Sequence, residues 1–291
     1  MTGSGKSCTS RSLFSSYHPP LEYRRVESEL WWLERLRDDA VLAVPEVVPD
    51  RDGQGVVTVR GADDRPYLCT LFHWVPGRFY QHPSAAQLTK IGRLTALLHN
   101  HTTGLTVPPW FDRPVVDIAD APYTEKAVRL FRDRYSPDGA AVIAEALRRV
   151  RNAQEELAVE PGTFGLIHAD IHQKNYLFNR GEARLIDFRD CGWGHYLYDL
   201  GVTIQQLGDV PDRARLQQAL LDGYRQVRDL SSRHEGLIAD FTLVREVQDL
   251  TWLVEEQDNP HYEKFSGRLE RNLTRLAADL ASLNIVQSPA P

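Results

Sequence analysis

The sequence predicts an α+β protein in which a small antiparallel sheet precedes a large helical region. Two observations carry this reading. Short β-rich segments bounded by turn signals crowd into the first quarter of the chain, at residues 46–48, 56–59 and 67–75. From Ser84 onward, apolar residues recur at helical spacing over long stretches. With 291 residues, 42% of them hydrophobic, the chain can bury a large core.

The elements follow in order. Residues 26–37 read as a helix, with Leu30, Leu33 and Leu36 on one face. Asp52-Gly53 and Asp63-Asp64-Arg65-Pro66 separate the three strand segments, and Pro76-Gly77 ends the last. Residues 84–99 form the next helix, with Leu88, Ile91, Leu94, Leu97 and Leu98 as its stripe and Ser84 as its N-cap. Further helices are expected at 123–135, 139–157, 200–206, 212–228, 236–256 and 264–283.

The most informative stretch, residues 166–200, interrupts these helices: LIHADIHQKNYLFNRGEARLIDFRDCGWGHYLYDL. Asp170 stands five residues before Asn175. A hairpin follows, with strands at 176–178 and 183–188 around the turn 179–182, and returns the chain to Asp187. Phosphoryl transfer asks for these groups, because the protein contributes mainly positioning and charge stabilisation. A carboxylate must orient the attacking hydroxyl, and hard oxygen ligands must hold Mg²⁺. Asp170 suits the first task, Asn175 and Asp187 the second. Either motif alone is weak; the two joined by a hairpin of the right length are far more specific.

His168-Ala169-Asp170, Asn175, Ile186-Asp187-Phe188 and Tyr198-Asp199-Leu200 resemble the aminoglycoside phosphotransferase and choline kinase superfamily of kinase-like enzymes, from about residue 22 to the last helix. The resemblance implies a protein-kinase-like two-lobed fold, with a reduced N-terminal lobe at 1–76 and a catalytic, acceptor-binding lobe at 77–291. It implies ATP or GTP with Mg²⁺ as cofactors and a small-molecule hydroxyl as acceptor. Asp170 becomes the catalytic base, Asn175 and Asp187 the metal ligands, and His168 and Asp199 the supports of the catalytic loop. The break at Pro76-Gly77 becomes the hinge, with adenine bound around Phe72 to Trp74. Ala169 stands where the family usually has Gly, a costly exchange if that residue needs positive φ. Arg189 replaces a frequent Asp and can contact a phosphate or pair with Asp190. For Asp199 itself, a simple N-cap of the following helix is the competing role.

At the N-terminus the chain departs from the family pattern. Glu29, or secondarily Glu27, is the candidate partner for a phosphate-contacting cation, yet only 28 residues precede Glu29. The expected cation-bearing strand, 13–18, carries Ser15 and Ser16 instead, leaving Lys6, Arg11 and Arg24 as candidates. A catalytically impaired binding module is therefore an alternative to an active kinase. The opening residues 1–7, MTGSGKS, echo the end of a P-loop but lack its preceding strand and following helix, and read as a flexible tail.

The acceptor is sought among the C-terminal helices, where Arg245, Glu246, Asp249, Trp252, Glu255, Glu256 and Asp258 cluster. Together with His172 and Asp190, Trp252 and Glu255 suit a cationic acceptor such as an amino sugar or amino alcohol, or a homoserine-like one. The plainer alternative is an amphipathic helix, with Phe241, Leu243, Val244, Val247, Leu250 and Leu253 buried and the carboxylates solvated.

Two other functions compete. His168, Asp170 and His172 alternate and could ligate a hydrolytic metal, which would leave Asn175 and Asp187 unexplained. A Ser/Thr protein kinase would need an activation segment and an Ala-Pro-Glu motif after Asp187, and neither is recognisable. A net charge of −6 argues against nucleic-acid or membrane-surface binding. Cys8, Cys69 and Cys191 are too scattered for a disulfide or ligand pattern, which points to the cytoplasm. No apolar run is long enough to span a bilayer.

Overall fold

The computed structural model describes residues 12–17, 23–39, 41–116, 119–158, 160–208, 210–259 and 267–287. Its first layer is a three-stranded antiparallel sheet. β1 (Ser12–Tyr17) leads to α1 (Tyr23–Asp38), and then come β2 (Val57–Arg60) and β3 (Pro66–His73), in the order β1-β3-β2. One side of α1, including Val26, Trp32, Leu33 and Leu36, is buried. Trp32, Leu33 and Leu36 join the main core, whereas Val26 forms a small separate cluster with Val56 and Leu68. The segment expected as a strand at 46–48 makes only a bridge from Val47 to Phe72. Pro45 and Pro49 flank it, and neither has an N–H to extend the ladder.

The connection to the helical lobe lies against a second hairpin, β5 (Tyr176–Asn179) and β6 (Glu182–Leu185). Arg78 and Phe178 exchange backbone hydrogen bonds of 3.0 and 2.9 Å. A Cβ on Gly77 would stand 2.7 Å from the Cβ of Leu177, so only glycine fits this approach. β6 stops at Leu185, shorter than expected, because Asp187 takes φ +62° and leaves the extended conformation. A third pairing, β4 (Phe164–Ile167) with β7 (Gly192–His195), has no counterpart in the sequence reading. Four-residue strands containing one or two glycines carry almost no periodic signal.

The helices are α2 (Ala85–Thr102), α3 (Ala121–Arg134), α4 (Pro137–Ala158), α5 (Leu197–Gln205), α6 (Arg213–Arg225), α7 (Ser232–Glu255) and α8 (Arg268–Gln287). Ser84 caps α2 in a reciprocal capping box with Gln87. Close packing of α2 on α6 depends on Gly92, whose Cβ would meet the Leu220 carbonyl oxygen at 1.9 Å. A buried Arg149–Asp240 pair at 2.8 Å ties α4 to α7. The main core runs without interruption from Trp32 and Phe72 through α2, α4 and α5 to Leu280 of α8. No helix among the described residues is long and apolar enough to cross a membrane.

Candidate active site

β4 delivers the chain at Ile167 into a loop over residues 168–175, and α5 holds that loop from behind. Asp199 accepts hydrogen bonds from the backbone N–H groups of His168 (3.0 Å, to Oδ2) and Ala169 (2.8 Å, to Oδ1). It is not an N-cap: α5 already begins at Leu197, and Asp199 points inward, fully buried. His99 of α2 lies 3.0 Å from Asp199 Oδ2 through Nε2 and 2.9 Å from the Tyr224 hydroxyl through Nδ1. Burial holds the His99 ring below its ordinary pKa despite the hydrogen bond and charge of Asp199. The ring is therefore neutral at pH 7, donating to Asp199 and accepting from Tyr224. This support forces Ala169 to φ +65°, the left-handed region in which its Cβ is costly.

Asp170 is reached by groups from three directions. Its Oδ2 accepts from Asn175 Nδ2 at 2.7 Å and lies 3.2 Å from His172 Nε2. His172 Nδ1 accepts from the Lys174 N–H, so Nε2 carries the proton. Oδ1 faces Arg245 Nη1 of α7 at 3.0 Å, an ion pair whose angles make no hydrogen bond among the described residues. Burial alone would raise the Asp170 carboxyl, but the His172 hydrogen bond and charge, with Arg245 and His168, hold it below its ordinary value. Asp170 is thus an anion with one oxygen anchored and the other turned toward α7.

The hairpin closes the second half of the site. Ile186 N–H donates to the Asn175 carbonyl at 2.9 Å, which places Asp187 beside the end of the catalytic loop. With the Asn175 amide nitrogen tied to Asp170, its side-chain oxygen and the exposed Asp187 carboxylate are hard-oxygen donors at one end of the hairpin, a set that fits Mg²⁺. Phe188 turns the other way, edge-on to Trp32 of α1 (5.5 Å) and packed on His168 (4.5 Å). His168 is buried: Nε2 meets the Ile186 carbonyl at 3.1 Å and Nδ1 accepts from Asp170 N–H at 3.3 Å. Both ring nitrogens are engaged, which removes the alternating His-Asp-His metal site from consideration.

Glu29 is buried on α1, near enough to Cys191 to add to the burial that pushes that thiol up to about 12, while Arg113 opposes the rise. The side chains of Ser15 and Ser16, and the whole of Lys6 and Arg11, lie outside the described residues; Arg24 is exposed on α1. Phe72 sits inside β3 and is buried, whereas Trp74 lies beyond the strand and is 42% exposed. The adenine-side candidates thus separate into a core residue and an open one. Arg189 lies 3.7 Å from Asp190, the anticipated ion pair.

Two cavities meet at Arg245 and Asp249, beside Asp170. One, of about 540 Å³, is lined by the acceptor candidates Asp190, Trp252 and Glu255, together with Tyr123, Lys126 and Tyr198. Glu255 pairs with Lys126 of α3 at 2.9 Å. The other, of about 520 Å³, is lined by His172 with Phe79, His82, Lys174 and Arg268. The apolar stripe of α7 is buried throughout, as the amphipathic alternative requires, but Glu246 is buried as well, which pushes its carboxyl up to about 7, and Trp252 and Glu255 face the first cavity.

Several contributors escaped the sequence reading. His99 had a legible signal, a polar residue in register with Leu88, Ile91 and Thr95 on the buried face of α2. Arg245 had none beyond its place in the acceptor cluster, because its partner is 75 residues away and its i,i+4 spacing to Asp249 reads as an ordinary surface pair. Arg113, in an irregular segment, also gave no signal. It is buried and donates through its guanidinium to the carbonyls of Cys191, Arg25 and Arg189.

Comparison with known proteins places this geometry. The model of the phosphotransferase enzyme family matches residues 9–237. A solved microcompartment-associated aminopropanol kinase superposes with a TM-score of 0.78 at 29% identity, over 94% of this chain and 85% of that one. An amicoumacin kinase solved with AMP-PNP, Ca²⁺ and Ami gives a TM-score of 0.76 at 20% identity, over 94% of this chain and 82% of that one, a likeness of fold. Homoserine kinase of Pseudomonas aeruginosa is 28% identical over 209 residues, 69% of this chain and 62% of its own. The chain spans less than two thirds of the length of the curated relatives it matches first.

Proposed function

Because the chain belongs to the phosphotransferase enzyme family, we propose that it is an ATP- and Mg²⁺-dependent kinase that phosphorylates a hydroxyl of a small, amine-bearing molecule. The observation that carries this reading is the convergence of Asp170, Asn175 and Asp187 at the junction of one loop and one hairpin, with the loop backbone held by the buried Asp199. By their names, kinases related in sequence or fold act on aminopropanol, homoserine and amicoumacin, which supports the acceptor class without selecting a member.

Asp170 orients the acceptor hydroxyl and takes its proton as the acceptor oxygen bonds to the γ-phosphorus and the bond from that phosphorus to ADP breaks. Asn175 clamps the second carboxylate oxygen, so the anion presents a fixed face to the acceptor. The Asn175 side-chain oxygen and Asp187 would hold Mg²⁺, which supplies charge neutralisation on the phosphates when bound. The nucleotide would lie between the residue 1–76 and 77–291 lobes, its base against the open Trp74 segment rather than the buried Phe72 side chain, with Glu29 steering the phosphate-contacting cation. Asp190, Trp252 and Glu255 would face the acceptor from the cavity they line, and His172 would steady Asp170. The buried thiols of Cys69 and Cys191 suit a reducing, cytoplasmic setting.

Calorimetric titration with MgATP is the test. Binding in the micromolar range that depends on Mg²⁺ and disappears in Asp187→Ala, with turnover reduced by about 10³-fold or more, is the expected result. Unchanged turnover in Asp187→Ala would sink the metal assignment. No nucleotide binding by the wild type would make a non-catalytic kinase-like module the better reading.

A further inference from the structure

Arg245 occupies the one place where an acceptor must arrive. Asp170 Oδ2 is taken by Asn175 and His172, which leaves Oδ1 for the acceptor hydroxyl, and the Arg245 guanidinium stands 3.0 Å from that oxygen. Arg245 also lies 3.3 Å from Asp249, one turn along α7, and this pair forms the wall common to both cavities. The two sides of that wall differ in charge. The cavity at Trp252 offers Asp190 and Glu255 against Lys126. The cavity at His172 offers Lys174 and Arg268 with His82, and Asp249 is its one carboxylate among the described lining residues.

A guanidinium resting on the catalytic carboxylate has to move, and an amine offers it no new partner in exchange for the one it leaves. A carboxylate can, because it offers the planar fork that guanidinium matches with two hydrogen bonds. We propose that the acceptor is zwitterionic, a hydroxy amino acid, and that Arg245 is its specificity-determining residue: the acceptor carboxylate enters the basic cavity, draws Arg245 off Asp170 Oδ1 and exposes that oxygen to the hydroxyl, while the acceptor amine takes Asp249. The proposal rests on the kinase reading above and narrows it, since an amino alcohol without a carboxylate has no group to displace Arg245. Lys174 and Arg268, which also line the basic cavity, add attraction for the anion.

The test compares L-homoserine with 1-amino-2-propanol as acceptors under MgATP, in the wild type and in Arg245→Gln, Arg245→Lys and Lys174→Gln. The readout is the ratio of the two kcat/KM values. The wild type is expected to favour L-homoserine by about tenfold or more, the scale of charge-assisted hydrogen bonds made to only one of two ligands. Arg245→Gln should bring the ratio to within about threefold, chiefly by raising KM for L-homoserine, with Arg245→Lys and Lys174→Gln in between. A ratio that survives Arg245→Gln, or a wild type that prefers 1-amino-2-propanol, overturns the proposal. If neither acceptor is turned over, calorimetric titration of both into the nucleotide-free protein decides. Preferential L-homoserine binding lost in Arg245→Gln upholds the subsite while the kinase reading fails; equal binding, or none, overturns the subsite as well.

Discussion

The loop around Asp170 and the N-terminal sheet are built to opposite specifications. Around residues 168–175 every support is itself supported: Asp199 holds two backbone N–H groups, His99 holds Asp199, and Tyr224 holds His99, all inside the core. β2 is exposed at all four residues, and among the described residues the separate cluster beneath the sheet has Val26, Val56 and Leu68 as its buried apolar members. Rigidity is concentrated around Asp170, and the described part of the N-terminal sheet is left thin. This is the distribution expected if chemistry needs sub-ångström positioning while the nucleotide side must open and close.

The sharpest way to break the comparison is at Arg113, which ties α1 to the segment just past Asp187. Its guanidinium bonds the Arg25 carbonyl of α1 and the Arg189 and Cys191 carbonyls just past Asp187, while the neighbouring Asp112 N–H donates to Ser28 of α1 at 2.8 Å. Arg113→Met keeps the stem but leaves three buried or half-buried acceptors without their donor. A loss of about 3 kcal/mol or more in urea unfolding is expected. Arg113→Lys should recover only part of it, because a point charge cannot serve three diverging carbonyls. If Arg113→Met costs under about 1 kcal/mol, the rigid unit ends at the loop and does not extend to α1.

Ala169 gives a smaller effect of opposite sign. At φ +65° its Cβ is strained, and Asp199 enforces that conformation through the Ala169 N–H. Ala169→Gly should stabilise by ~1 kcal/mol, less the entropy that glycine adds to the unfolded chain, seen as a higher urea midpoint at unchanged slope. Destabilisation would mean that the alanine methyl is worth more in packing than it costs in strain.

These residues also mark how far the sequence could be read. Asp170, Asn175 and Asp187 were legible because they lie within one hairpin of each other, where local turn chemistry fixes geometry. The long helices were legible because packing on one face imposes a period, and their ends moved by only a few residues. What stayed hidden is what joins distant segments: Asp199 to His99 across 100 residues, Asp170 to Arg245 across 75, and Arg113 to three carbonyls at once. The β4–β7 pairing belongs with these, since its register, Phe164 opposite His195, is set by tertiary packing and not by a turn.

The smallest expected effect tests the weak side of the comparison. Val59 on β2 is 46% exposed, and Val57 two residues earlier is 38% exposed. Exchanging a half-exposed valine for threonine keeps the β-branched shape and swaps one methyl for a hydroxyl that water can reach, so Val59→Thr should change stability by no more than ~0.5 kcal/mol. The contrast with Arg113 then spans at least a fivefold range in energy within one chain. A cost above ~1 kcal/mol would show that the outer face of β2 is covered in solution. If that cost also shrank with dilution, the cover would be a second protein chain, and the thinness of the N-terminal sheet would be a property of the isolated molecule only.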